Sequence, residues 1–148
     1  MTRKAVSVAI VYDFDGTLSP GNMQEYQFVP DIGMTPKQFW NDANRKAREN
    51  NADGVLTYMN LMLRKANELE VRVRKVDFEQ YGASVKLFKG VDTWFSRINK
   101  YGKGKGLKTE HFIVSSGISE IICGTLIARE FKKIYASSFV YDQNGVAK

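Results

Sequence analysis

The chain has 148 residues, of which 43% are hydrophobic, 12% aromatic and 26% charged, the mixture of a globular protein able to bury a core. With 3 Pro, 12 Gly and a single cysteine, Cys123, it is neither low-complexity nor stapled within one chain, and a reducing, cytoplasmic setting is expected. No apolar run approaches the roughly 18 residues of a membrane span, and 22 Lys+Arg against 16 Asp+Glu, a formal +6, suit an anionic substrate or polymer without choosing between them.

Arg3-Lys4 followed by Ala5 to Tyr12 begins like a signal peptide, but Asp13 and Asp15 stand where a small-residue cleavage site belongs. Ala5 to Tyr12 (AVSVAIVY) is instead a near-continuous β-branched run, the pattern of a central strand buried on both faces. From Leu18 to about residue 36, Pro20, Gly21, Pro30 and Gly33 predict loop with short pieces. Thr35-Pro36 reads as an N-cap and first helical residue, and Phe39, Ala43 and Ala47 extend a helix over about 36–50. Leu56, Met59, Leu63 and Ala66 predict a second over about 54–70. Asp77 with Gln80 resembles a capping box opening a third at about 78–87, and Val71 to Arg74, alternating but short, reads as a connection.

After Gly90, Val91, Trp94, Phe95 and Ile98 share one helical face, and the Lys/Gly stretch at 102–108 ends that helix. Lys100, Lys103, Lys105 and Lys108 carry much of the positive excess and read as a solvated surface connection. His111 to Val114 is a short strand ending in Ser115-Ser116-Gly117. A helix starting there is expected to bury Ile121, Ile122, Leu126 and Ile127 and to lead into a strand at Lys133 to Ala136. Phe139 to Tyr141, the turn Asp142-Gln143-Asn144-Gly145 and Val146 predict a hairpin. His111 reads as a surface or edge residue and Cys123 as a small core residue; Phe39, Trp40, Tyr58, Met59 and Met62 read mainly as core, with a few facing a crevice. This alternation predicts an α/β fold, a three-layer Rossmann-like parallel sheet core formed by 1–18 and 89–148. The helical block 19–88 is too long for one crossover and reads as an inserted unit.

The sharpest chemical feature is Asp13-Phe14-Asp15-Gly16-Thr17 at the carboxyl end of the first strand, where open α/β sheets place their ligand crevices. Acids two apart on a strand share a face about 6–7 Å apart. Two such carboxylates repel by about 2–3 kcal/mol at an effective dielectric of ~20 unless a cation joins them or one takes a proton. A hard cation such as Mg2+ suits the pair, because it takes one or two carboxylates and keeps waters and phosphate oxygens for the rest. Gly16 permits close backbone approach and the Thr17 hydroxyl can bond across the turn. Ser115-Ser116-Gly117 offers a hydroxyl and free backbone N–H groups for an anion. In a parallel sheet both strand ends open on one edge, which would set a phosphate at Ser115 beside Asp13.

These segments resemble motifs one and two of the haloacid dehalogenase-like superfamily: Asp13-x-Asp15-Gly16-Thr17-Leu18, then, after the helical insertion, Phe112-Ile113-Val114-Ser115-Ser116-Gly117. The position of the insertion, the Ser-Ser-Gly ending and Lys89-Gly90-Val91 resemble its phosphoserine-phosphatase-like branch. The resemblance implies a Mg2+-dependent phosphatase with 19–88 as a helical cap and a small phosphorylated substrate. Asp13 is then the nucleophile that becomes an aspartyl-phosphate, and Asp15 the acid and base. Asp13 and, through its carbonyl, Asp15 would hold the metal. Ser115 would bind the phosphoryl oxygens, helped by backbone groups near Gly16, Thr17, Ser116 and Gly117. The second acid separates this pattern from the dehalogenases, which protonate no leaving group.

The family's third-motif lysine and fourth-motif acids are expected after the hairpin, where this sequence stops, so that 148 residues resemble the first two thirds of an enzyme with impaired metal affinity and turnover. Lys132, Lys133 and Lys148 are assigned no such role. Two rival readings are a phosphotransferase or mutase using the same aspartate, and a basic nucleic-acid-binding module resting on the Lys/Gly stretch, the less favoured of the two. A receiver-type domain would place its acceptor acid on a later strand, whereas the third strand ends in Ala136-Ser137-Ser138.

Overall fold

The computed structural model describes residues 6–148; Arg3, Lys4 and the expected first strand residue Ala5 lie outside them. Strand β1 (Val6–Tyr12) leads through a turn and a short 3-10 segment at Met23–Glu25 into helices α1 (Phe28–Asp31), α2 (Pro36–Glu49), α3 (Gly54–Glu68) and α4 (Lys75–Gly82). Helix α5 (Val91–Gly104), strand β2 (Leu107–Ile118), the short α6 (Ser119–Cys123) and strand β3 (Lys133–Ser137) follow. The strands form a parallel sheet in the order β1-β2-β3, with Tyr12 beside Ile113 and Val114 beside Tyr135. This is the α/β, Rossmann-type arrangement that the strand–helix alternation predicts.

The cap read from the sequence at Thr35 forms, and two further local features set the starts of helices. Thr35 caps α2 by accepting from the Gln38 N–H at 3.2 Å while the Gln38 side chain accepts from the Thr35 N–H at 2.9 Å. Asp53 caps α3 by accepting from Leu56 N–H at 2.9 Å. Gly90 enters α5 at φ 88°, a conformation that only glycine adopts without strain.

Other elements depart from the sequence pattern. Among the described residues β1 is an edge strand and β2 the central one, with Val6, Val8 and Val11 exposed rather than buried. Only the face bearing Tyr12, His111 and Ile113 is covered, with α5 packed against β2; the face bearing Val11, Val114 and Tyr135 is exposed. Strand β2 spans 107–118 and not 111–114, because pairing with β1 begins at Val6–Leu107 and overrides the polar run Lys108-Thr109-Glu110. Helix α5 continues through Gly102, which is buried against Thr109, to Gly104. Lys108 lies on the surface, paired with Glu110 at 3.0 Å.

Helix α4 starts at Lys75, three residues early, because Asp77 is not its N-cap: its carboxylate accepts from the Arg74 N–H at 3.0 Å as the third residue of the first turn. The stretch before it pairs with the hairpin, Arg74 bridging Val146 and the Ala147 N–H donating to Val73 O at 2.9 Å. The hairpin itself forms, closed by Tyr141–Ala147 and by the Asp142 carboxylate accepting from the N–H groups of Asn144 and Val146. The expected helix after Gly117 is shorter and later, so Ile121, Ile122 and Ile127 are buried while Leu126 and Cys123 are exposed. Helices α4 and α6 meet at backbone distance, since a Cβ on Gly82 would fall 2.3 Å from the Ile121 carbonyl oxygen.

His111 is buried, not superficial. Trp94 Nε1–H donates to the Tyr12 hydroxyl at 2.9 Å, which leaves that hydroxyl to donate to His111 Nδ1 at 2.9 Å. His111 then carries its proton on Nε2 and donates to Asn99 Oδ1 at 2.9 Å. Burial holds the imidazole below its ordinary pKa and keeps it neutral. The network locks α5 onto β1 and β2 immediately below the carboxyl edge of the sheet.

Candidate active site

Strand β1 delivers Asp13 to the sheet edge, and the next residue, Phe14, is wholly buried. That anchor fixes the turn: the Phe14 carbonyl accepts from the N–H groups of Thr17, Leu18 and Ser19 at 3.2, 2.9 and 3.1 Å, while Gly16 N–H donates to Ser19 O at 2.7 Å. Gly16 sits at φ 77°, which explains the glycine. Flanking a buried aromatic, Asp13 is exposed and Asp15 half-buried. Asp13 Oδ1 accepts from the Phe14 N–H at 2.7 Å, and Asp15 Oδ1 from the Met23 N–H at 2.9 Å. The Thr17 side chain is exposed, and backbone bonds hold the turn without it.

Asp15 is electrostatically the most unusual group here. Burial raises its pKa from 3.8 to about 7; the bond from Met23 N–H opposes this, and the charges of Asp13 and Glu25 add to it. No Lys or Arg among the described residues forms an ion pair with either aspartate. A carboxyl poised near neutrality beside a second carboxylate is the division of labour expected of an acid next to a nucleophile.

The end of β2 lies on the same edge, because β1 and β2 are parallel and in register to Tyr12–Ile113. Ser115, Ser116 and Gly117 belong to the strand itself, and α6 begins only at Ser119, so the expected helix N-terminus at Ser115 is not formed. Ser115 Oγ accepts from the Gly117 N–H at 3.0 Å, which leaves its hydroxyl proton free to donate. The Ser116 carbonyl accepts from the Tyr58 hydroxyl at 2.6 Å and from Ser137 Oγ at 3.3 Å, tying α3 to the strand end. Gly117 admits Met23, whose methyl would lie 2.1 Å from any added Cβ.

A cavity of about 300 Å³ opens beside Asp15 and the end of β2. Asp15, Ser116 and Gly117 line it; Asp13, Gly16, Thr17 and Ser115 stand outside its walls. Of the large residues read mainly as core, Phe39 and Met62 are wholly buried, while Trp40 and Tyr58 face the cavity. The sequence pattern did not single out Asn22, Gln24, Asn44 and Asp53, which complete a polar wall. Gln24 is buried and comes from the irregular segment after β1, where no periodicity marks a functional residue.

No group of three or more His, Cys, Asp or Glu suited to a metal occurs among the described residues. The exposed Asp13 carboxylate and the backbone carbonyl of Asp15 are nevertheless hard oxygen donors of the kind Mg2+ takes, with water and phosphate oxygens completing its shell.

Comparison with known proteins agrees with this geometry at the level of the fold. No family model matches the chain. An uncharacterized protein of Borreliella burgdorferi is 29% identical over 151 residues, covering 95% of this chain and 52% of the relative. A HAD family hydrolase from Salmonella enterica serovar Typhi superposes with a TM-score of 0.64 at 20% identity, over 97% of this chain and 44% of the other. A phosphoserine phosphohydrolase-like protein from Francisella tularensis gives 0.61 at 17% identity over 98% and 63%, and a phosphoserine phosphatase 0.57 at 15% over 96% and 61%. The chain has the fold of haloacid dehalogenase-like hydrolases of the phosphoserine-phosphatase-like kind, and it spans about half the length of the curated relative it matches.

Proposed function

We propose that the protein is a Mg2+-dependent phosphatase that hydrolyses a small phosphomonoester through an aspartyl-phosphate. One observation carries the reading: at the carboxyl end of a parallel strand the exposed Asp13 stands two residues from the half-buried Asp15, and no Lys or Arg among the described residues pairs with either. In the first step an Asp13 carboxylate oxygen bonds to phosphorus, the ester P–O bond breaks, and Asp15 gives its proton to the departing oxygen. In the second, water adds to phosphorus and passes a proton to Asp15, while the bond to Asp13 breaks and phosphate leaves. A carboxyl near pKa 7 is suited to both directions of that transfer. The Ser115 hydroxyl donates to a phosphoryl oxygen with the Ser116 N–H beside it, and the N–H groups of Gly16, Thr17 and Gly117, now given to Ser19 O, Phe14 O and Ser115 Oγ, join the cradle only by exchanging those bonds for the phosphate. Mg2+ held by the Asp13 carboxylate and the Asp15 carbonyl would neutralise phosphoryl charge.

Residues 19–88 act in this reading as a cap over a core of 1–18 and 89–148, and the setting is cytoplasmic. Among the described residues no helix is long and apolar enough to cross a membrane. Phosphate release from a panel of monoesters, with Mg2+ and with chelator, tests the reading. Release should require Mg2+ and disappear in Asp13→Asn. Release that survives in Asp13→Asn contradicts it, and transfer to an added alcohol in preference to water favours a phosphotransferase.

A further inference from the structure

Building on the phosphatase reading, we propose that the substrate is an amino-alcohol phosphate without a carboxylate, whose primary ammonium group enters the cavity beside Asp15 and bonds to Gln24. The starting observation is an orphan. Gln24 is 1% exposed, lines the cavity, and its Oε1 has no hydrogen-bond partner. A buried carbonyl oxygen without a partner is destabilising, so a ligand that brings a donor removes that penalty. The neighbouring Tyr58 hydroxyl gives its proton to Ser116 O and so has none to offer Gln24. The Gln24 Oε1 is left for the guest.

The charges select which donor. The Asp53 carboxylate lines the cavity, Glu25 lies behind its wall, accepting from Trp40 Nε1–H at 2.6 Å, and Asp15, which carries the transferable proton in the phosphatase reading, adds an acid and no base. Among the described residues no Lys or Arg lines it. A carboxylate on the leaving group would therefore meet acids and no base. The start of α3 offers it little, since Asp53 already accepts from Leu56 N–H. A neutral hydroxyl satisfies Gln24 and gains nothing from the acids. A quaternary ammonium gains from acids and from Trp40 and Tyr58 but has no N–H for Gln24 Oε1. A primary ammonium, with three donors and a positive charge, meets both demands, and about 300 Å³ holds a short aminoalkyl chain.

The test is a comparison of kcat/KM on the full chain with Mg2+, using phosphoethanolamine, phosphocholine, glycerol phosphate and phosphoserine, together with a tryptophan-fluorescence titration by ethanolamine. The expected order places phosphoethanolamine about 10-fold or more above each of the others, with Gln24→Leu erasing most of that margin. Hydrolysis with phosphoserine, glycerol phosphate or phosphocholine equal or better overturns the amine site and leaves the phosphatase reading intact. Saturable ethanolamine binding, reported by Trp40 and lost in Trp40→Phe, without hydrolysis of any ester supports the amine site and removes the phosphatase reading. Neither binding nor hydrolysis overturns both. The wild-type order alone decides the question should Gln24→Leu fail to fold.

Discussion

Replacing Asp15 by asparagine separates what this residue does for chemistry from what it costs the fold. Its pKa stands at about 7 in the folded protein against 3.8 ordinarily, mainly through burial. The folded state therefore holds the proton more tightly than the unfolded chain. The resulting stability is fully present below about pH 4 and is lost as pH rises through about 7. Taking 3.8 and about 7 as the two values, the loss between pH 5 and pH 8 is about 2.5 kcal/mol, on the order of 5–10 °C in Tm for a chain of this size. The asparagine side chain keeps an oxygen for the Met23 N–H and carries no charge, so Asp15→Asn should lack this loss. Urea denaturation of both proteins at pH 5 and pH 8, in chelator, reads the difference directly, because all other titrating groups are shared. Adding Mg2+ at pH 8 should stabilise both proteins, because the Asp13 carboxylate and the Asp15 backbone carbonyl are kept in the variant. Equal pH slopes in the two proteins would refute the burial argument.

Other perturbations test the scaffold. Gly82→Ala or Gly124→Ala drives a Cβ into backbone carbonyl oxygens, to 2.3 Å from Ile121 O and 1.7 Å from Glu79 O, and should each cost about 3 kcal/mol in chemical denaturation. Tyr58→Phe removes the 2.6 Å bond to the Ser116 carbonyl and should cost about 1–2 kcal/mol while weakening turnover, measured by denaturation and phosphate release. His111 is held neutral by burial, so the stability of its network is present above pH 6.5 and lost as the pH falls below it. Urea titration of His111→Gln should show less of this acid loss than the wild type.

What could be read from the sequence was local. The DFDGT turn announces itself because Asp13, Phe14, Asp15 and Gly16 impose their geometry within four residues, and the Thr35 cap acts within one helical turn. Features that depend on distant partners were hidden. His111 looked superficial because the groups that bury it come from β1 and α5, Tyr12 lying 99 positions away. The extension of β2 to Leu107 and the edge position of β1 arise from strand pairing and order, which composition does not encode. Ser115 reads identically as a helix cap and as a strand residue until the bulged pairing of β2 with β3 carries the strand on to Ile118. Gln24, Asn44 and Asp53 converge on the cavity from three separate segments, so no spacing marks them as a set.

The central claim is that Asp13 takes the phosphoryl group. Acid-quenching the protein during reaction with a radiolabelled phosphomonoester and mapping the label by peptide digestion tests it most directly. The account predicts an alkali-labile phosphate on Asp13, accumulating in Asp15→Asn, if the ester has a leaving group that needs no acid, and absent in Asp13→Asn. Label on any other residue, or phosphate release that proceeds in Asp13→Asn without a labelled intermediate, contradicts it.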